Sequence, residues 1–120
     1  MDDCIFCKIA KKEILAEIVY EDAKYLAFLS IDPLSPGHVL VIPKDHYRWV
    51  WDVPNIGEYF SIVQKIAKAQ QKAFLTEVVF SHIEGKEVSH AHIWVYPDIK
   101  TSGDKKDFAG NADKIRKSLI

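Results

Sequence analysis

The chain has 120 residues, 48% of them hydrophobic, and a formal net charge of −1. That length makes one domain that can bury a core without staples, and so small a charge gives no global drive toward nucleic acid or an anionic membrane, so any anion site must be local. No apolar run approaches the roughly 20 residues of a spanning helix, and the start Met1-Asp2-Asp3-Cys4 lacks the basic and apolar stretches of a secretory signal, so the expected location is the cytoplasm.

Near the start, Ile5, Phe6, Ile9 and Ala10 fall at helical spacing and predict one short amphipathic helix. Residues 18–20 and 25–31 read as the two strands of a hairpin, turned by Glu21-Asp22-Ala23-Lys24. Asp32-Pro33-Leu34-Ser35-Pro36-Gly37 is a loop, because two prolines and a glycine break any regular element. His38-Val39-Leu40-Val41-Ile42 is an almost wholly apolar strand, read as central, and Pro43 ends it. The longest helix is expected over residues 55–76, where Ile56, Phe60, Val63, Ala67 and Phe74 recur at helical spacing. Asn55 with Glu58 resembles its capping box, and Asp52 before Pro54 is the other possible start. Residues 78–83 and 88–96 read as two strands joined through Glu84-Gly85-Lys86-Glu87, and a short helix over 112–119 closes the chain. There are no repeats and no linker. The sum is a single α+β domain over 1–120 with a mostly antiparallel sheet.

The last strand carries the chemistry. Alternation puts His90, His92 and Trp94 on one face and Ala91, Ile93 and Val95 on the other. Imidazole titrates nearest neutrality and serves as nucleophile, acid, base or metal ligand; two histidines on a half-exposed strand are the competing account. Cys4-x-x-Cys7 offers two thiolates to one metal ion, half of a tetrahedral zinc site. A thioredoxin-like redox pair fits poorly, because no strand precedes Cys4. The remaining ligands must be histidines, and His38, His46, His82, His90 and His92 all stand as candidates.

Three stretches together resemble the histidine-triad (HIT) superfamily, nearest its Hint branch: Cys4-Ile5-Phe6-Cys7-Lys8-Ile9, Ala27-Phe28-Leu29, and the specific run Pro36-Gly37-His38-Val39-Leu40-Val41-Ile42-Pro43-Lys44-Asp45-His46. His90-Ala91-His92-Ile93-Trp94 falls where that family carries His-x-His-x-His, and the resemblance spans residues 4–97 in unbroken order. It implies a HIT-like fold: a five-stranded, mostly antiparallel sheet with one long helix and short terminal helices, paired into a homodimer. It implies a purine nucleotide or nucleotide conjugate as ligand, with neither a membrane nor a specific nucleic acid as partner. The activity implied is hydrolysis at the α-phosphorus of an adenosine-type phosphoramidate or dinucleoside polyphosphate. The attacking residue would be His92, through a covalent nucleotidyl-histidine, with His38 supporting it. The zinc-bearing members imply structural zinc on Cys4, Cys7, His46 and His90. The nucleotide site carries over as Phe6, Ile9, Phe28 and Ile31, with Ile14 a weaker candidate. Ordinary core packing explains Phe28 equally well.

The pattern breaks at three places. Trp94 stands where the third histidine belongs and has one donor and no acceptor. Ser30 stands where Hint-type members carry an aspartate for the ribose, with Asp32 two residues on. Lys86 and Glu87 replace a Gln-Ser pair before the triad, Lys86 able to attract phosphate and Glu87 to repel it. These departures keep alternatives open: a HIT-fold binding or interaction module with weak or no turnover, and, more remotely, an open catalytic zinc site.

Overall fold

In a computed structural model the described residues are 3–119, so the ends of the expected domain, residues 1, 2 and 120, lie outside the description. The elements run α1 (Ile5–Ala10), β1 (Ile18–Glu21), β2 (Tyr25–Leu29), β3 (Val39–Pro43), a 3₁₀ turn (Val50–Asp52), α2 (Ile56–Ala73), β4 (Val79–Ile83), β5 (Ile93–Pro97) and α3 (Phe108–Ser118). The strands form one five-stranded sheet in the order β1-β2-β3-β5-β4, antiparallel at every pairing. This is the α+β architecture expected. Among the described residues no helix is long and apolar enough to cross a membrane.

Both faces of the central strands are covered, which is why β2 and β3 read as continuous apolar runs rather than alternating ones. On one face α2 and α3 bring Tyr59, Ile62, Ile66 and Ile115 against Ala27, Leu29, Val39, Val41, Ile93 and Val95. On the other, α1 lays Phe6 and Ile9 on Leu26, Phe28 and Ile42. This smaller layer lies beside His90 and His92.

Several expectations need correction. The buried stripe of α2 is Tyr59, Ile62, Val63, Ile66, Ala69 and Gln70, whereas Ile56 and Phe60 are 41% and 37% exposed. Two of the inward residues carry polar ends, which an apolar count passes over. The Tyr59 hydroxyl donates to the Val41 carbonyl at 2.7 Å, and the Gln70 amide donates to the Gly37 and Val95 carbonyls, each at 2.8 Å. Gln70 thereby ties α2 to the turn before β3 and to β5. Gly37, with φ of +79°, must be glycine, since a Cβ there would collide with the Phe74 ring.

The Asn55 capping box does not form: Asn55 is left-handed at φ 54° and makes no side-chain cap. Asp52 does not start the helix either; it lies in the 3₁₀ turn, where its carboxylate accepts from the Trp49 N–H at 3.2 Å. α3 begins at Phe108, earlier than expected, because the Asp107 side chain accepts from the Gly110 N–H at 3.1 Å. β2 ends at Leu29, and Asp32 N–H turns back onto the Ser30 hydroxyl at 3.1 Å. β5 starts only at Ile93. Before it the chain leaves the ladder for the end of β3 and the segment after it: the His90 ring donates to the Pro43 carbonyl at 2.8 Å and Ala91 N–H to the Tyr47 carbonyl at 2.7 Å. His90 and His92 thus precede the strand instead of lying in it.

Candidate functional site

Cys4 caps α1, its sulfur accepting from the Cys7 N–H at 3.3 Å. The i, i+3 spacing across that first turn puts both sulfurs on one side of the helix. His90 Nδ1 stands 3.3 Å from Cys4 Sγ and 3.4 Å from Cys7 Sγ, and His46 Nδ1 stands 3.3 Å from Cys7 Sγ. All four donor atoms lie within 4.8 Å of one another. A tetrahedron with Zn–S near 2.3 Å and Zn–N near 2.05 Å has S···N edges of about 3.6 Å, so the spacing fits such an ion.

The protons fit as well. The Pro43 carbonyl only accepts, so His90 Nε2 carries the hydrogen and Nδ1 turns its lone pair toward the thiols. Burial lowers the His90 pKa and keeps the ring in the neutral form that ligates. Burial, with Cys4 adjacent, pushes the Cys7 thiol up to about 11. It therefore ionises at neutral pH only if a cation stands beside it.

His92 is 5% exposed, and its Nδ1–H donates to the His90 carbonyl at 2.7 Å. That bond fixes the tautomer and leaves the lone pair on Nε2. The Phe6 ring packs edge-on against both histidines, 5.2 Å from His92 and 5.9 Å from His90, and 5.6 Å from Phe28. Phe6, Ile9 and Phe28 come together as one apolar cluster beside His92. Ile31 does not join it and stands 82% exposed, past the end of β2.

Antiparallel register lines up Phe28, Leu40, Trp94 and His82 in one row across four strands. Trp94 lies between two imidazoles, 5.3 Å from His38 and 5.0 Å from His82, ring centre to ring centre. His82 pairs with Glu84 at 2.9 Å. The recorded ring neighbours of His38 are Trp94 and Tyr96. Leu34 N–H donates to its Nδ1 at 3.1 Å, so the proton sits on Nε2, which is buried with no partner among the described residues. Burial drops its pKa to about 4. Ser30 is buried at the mouth of the hairpin, while Lys86 and Glu87 are exposed on the loop before His90.

Sequence reasoning passed over the contact of His82 with Trp94, which only the strand register creates. It also passed over Arg48-Trp49, a basic–aromatic pair that the sequence does display.

A HIT domain model matches residues 11–101. The chain belongs to the HIT family. A HIT-like protein from Bartonella henselae, described as involved in cell-cycle regulation, superposes with a TM-score of 0.86 at 34% identity over 98% of each chain. A zinc-bound histidine triad protein from Mycobacterium smegmatis superposes with a TM-score of 0.82 at 29% identity, covering 98% of this chain and 94% of that one. The adenosine 5'-monophosphoramidase of Saccharomyces cerevisiae is 36% identical over 99 residues, 78% of this chain and 61% of the yeast protein. The five-stranded sheet with its three helices is the HIT fold.

His38 in this HIT domain makes stability depend on acid. Unfolded, an imidazole takes its proton near pH 6.5; folded, His38 takes it only near 4. Between those values the unfolded chain binds the extra proton, so this contribution is complete above pH 6.5 and is lost as pH falls toward 4. Its full size is about 3 kcal/mol. His38→Asn keeps an acceptor for the Leu34 N–H and removes the titration. Urea unfolding at pH 7, 5.5 and 4 should show a loss on acidification that is smaller in the variant than in the parent by up to that amount.

Proposed function

We propose that this chain is a Hint-like nucleotide hydrolase, one that attacks the α-phosphorus of an adenosine-type phosphoramidate or dinucleoside polyphosphate through His92. The observation that carries the reading is the bond from His92 Nδ1–H to the His90 carbonyl, which leaves Nε2 with a free lone pair beside an apolar cluster. The phosphoramidase activity named for the yeast relative supports the substrate class. In the proposed reaction Nε2 forms a bond to phosphorus as the bond to the leaving group breaks, and the leaving group takes the electron pair. Water then attacks the nucleotidyl-histidine and returns the imidazole. The covalent route divides one hard displacement into two easier ones.

In this reading Phe6, Ile9 and Phe28 receive the base. Ser30 takes the ribose, Lys86 the phosphate side, and Trp94 covers the reacting group where the third histidine would stand. Ile31 serves the base only by closing over it from its exposed position. His38, packed on Trp94, supports the site from behind. Zinc on Cys4, Cys7, His46 and His90 is structural, since four protein ligands close its coordination sphere. The zinc-bound mycobacterial relative supports this. When bound, the ion joins α1 to the segments that follow β3 and precede β5. The protein works in the cytoplasm as a homodimer; the sheet edge at β4, where Phe80 is 45% exposed, together with Ile56 and Phe60 on α2, supports that pairing.

A nucleotide-binding module with little turnover is the second reading. Trp94 favours it, because an indole held between His38 and His82 offers phosphate one donor and no proton relay.

Incubation with adenosine 5'-phosphoramidate should give a chain adenylylated at His92 by mass spectrometry. His92→Ala should abolish turnover and leave nucleotide affinity nearly intact, while Trp94→His should raise turnover about tenfold, the return of one charge-assisted contact. Equal activity in the parent and His92→Ala overturns the enzyme reading. Elemental analysis of protein purified without chelator should find close to one zinc per chain; under one-tenth equivalent, with both thiols freely titratable in the native state, overturns the metal assignment. Light scattering at micromolar concentration should report about twice the chain mass, and a clean monomer would refute the pairing.

A further inference from the structure

Arg48 makes no ion pair within 4.0 Å among the described residues, unlike Arg116, which pairs with Glu17 at 3.2 Å. Its Nη1 is buried and has no hydrogen-bond partner among them. Burying Nη1 this way is costly, because that nitrogen has left water and gained no acceptor. The surroundings nevertheless hold Arg48 firmly. Its guanidinium carbon lies 3.9 Å over the Trp49 ring, and a Cβ on Gly85 would collide with both the Trp49 ring and Arg48 Nη1. Only a glycine lets the loop before His90 lie on this stacked pair. The Ala91 N–H bond to the Tyr47 carbonyl, at 2.7 Å, sets Arg48 next to the peptide that links His90 to His92.

Stacking on the indole covers a face of the guanidinium, and with Nη1 buried the edge left for a ligand is that of Nε and Nη2, whose parallel N–H groups suit two oxygens of one phosphate. The nearby carboxylates are otherwise engaged or turned out. Glu84 pairs with His82, Asp52 accepts from Trp49 N–H, and Asp45 and Glu87 are exposed. Lys86, also exposed, adds a second positive charge to the same loop.

We propose that Arg48, braced by Trp49 and Gly85 and assisted by Lys86, forms an anion subsite for the leaving group. The preferred ligands are then nucleotides carrying a phosphate beyond the α-phosphorus, rather than those with a neutral amine there. The inference rests on the function proposed above and narrows its substrate class to polyphosphates.

AMP and ADP differ only by the β-phosphate that would occupy this subsite. Calorimetric titration of the full chain as purified should show ADP binding about tenfold or more tightly than AMP, the size expected for a charge-assisted phosphate contact. Arg48→Gln should bring the two affinities within about twofold by weakening ADP alone, and Arg48→Lys should retain part of the difference. Thermal melts establish that each variant is folded; if the Gln variant is not, the parent ratio and the Lys variant still decide. Equal affinities for AMP and ADP in the parent overturn the subsite and leave the proposed function standing. A loss in Arg48→Gln that is the same for both ligands also overturns the subsite. Failure of the parent to bind AMP at all refutes the nucleotide reading, and the subsite with it.

Discussion

One imidazole joins most of what matters in this molecule. His90 donates from Nε2 to the carbonyl that ends β3, turns Nδ1 to the two sulfurs of α1, and offers its own backbone carbonyl to His92. Each bond settles a different question. The first holds the lead into β5 off the sheet ladder and against the end of β3. The second sets where α1 can sit. The third decides which nitrogen of His92 is free. Because the ring is fully buried and neutral, none of these bonds competes with water. The geometry of the Cys–His cluster and the tautomer of His92 are therefore set by two ends of one residue.

The dependence runs furthest through α1. A helix of six residues has no stability of its own in water. Two things hold it on the sheet: the burial of Phe6 and Ile9 against Leu26, Phe28 and Ile42, and the meeting of its sulfurs with His46 and His90. The same Phe6 ring that closes this layer also packs on His92. Loosening the Cys–His cluster would thus be felt at His92 through the packing of Phe6.

Much of this was legible in the residues, and the reasons separate cleanly. Strands buried on both faces, such as β2 and β3, announce themselves as continuous apolar runs, and the turn residues between them carry their own signals. The four Cys–His donors emerged only through family resemblance, since spacing alone left five histidines open. The buried face of α2 departs from the apolar pattern because Tyr59 and Gln70 face inward for their hydrogen bonds, which a hydropathy pattern does not count. The start of β5 was misread for the same kind of reason. A strand pattern continues back through residue 88, but two hydrogen bonds to Pro43 and Tyr47 redirect the backbone. Ile31, assigned to the base pocket by the family resemblance, stands exposed past the end of β2, because apolar character says nothing about where a strand stops. Tertiary polar contacts, invisible to periodicity, account for most of these differences.

Trp94 is where the chain departs from the triad pattern it resembles, and magnitudes decide how much that would matter to the proposed reaction. Replacing an imidazole by an indole removes an acceptor and a proton carrier while keeping one N–H donor and adding apolar area. A single lost hydrogen bond to a charged phosphate is worth about 1.5–3 kcal/mol, a factor of roughly ten to a hundred in rate. The bond that fixes the His92 tautomer comes from His90, not from position 94, so the proposed attacking nitrogen keeps its lone pair whichever ring stands there. The tryptophan is moreover well accommodated: His38, kept neutral by burial, packs on one side and His82 on the other, so no charge is stranded by the change. One buried nitrogen of a ring packed on the indole, His38 Nε2, is left without a hydrogen-bond partner among the described residues, while Nδ1 of the same ring is bonded to Leu34 N–H. Under the function proposed above, the site is one built around an aromatic side chain, with its chemistry slowed and its choice of leaving group altered.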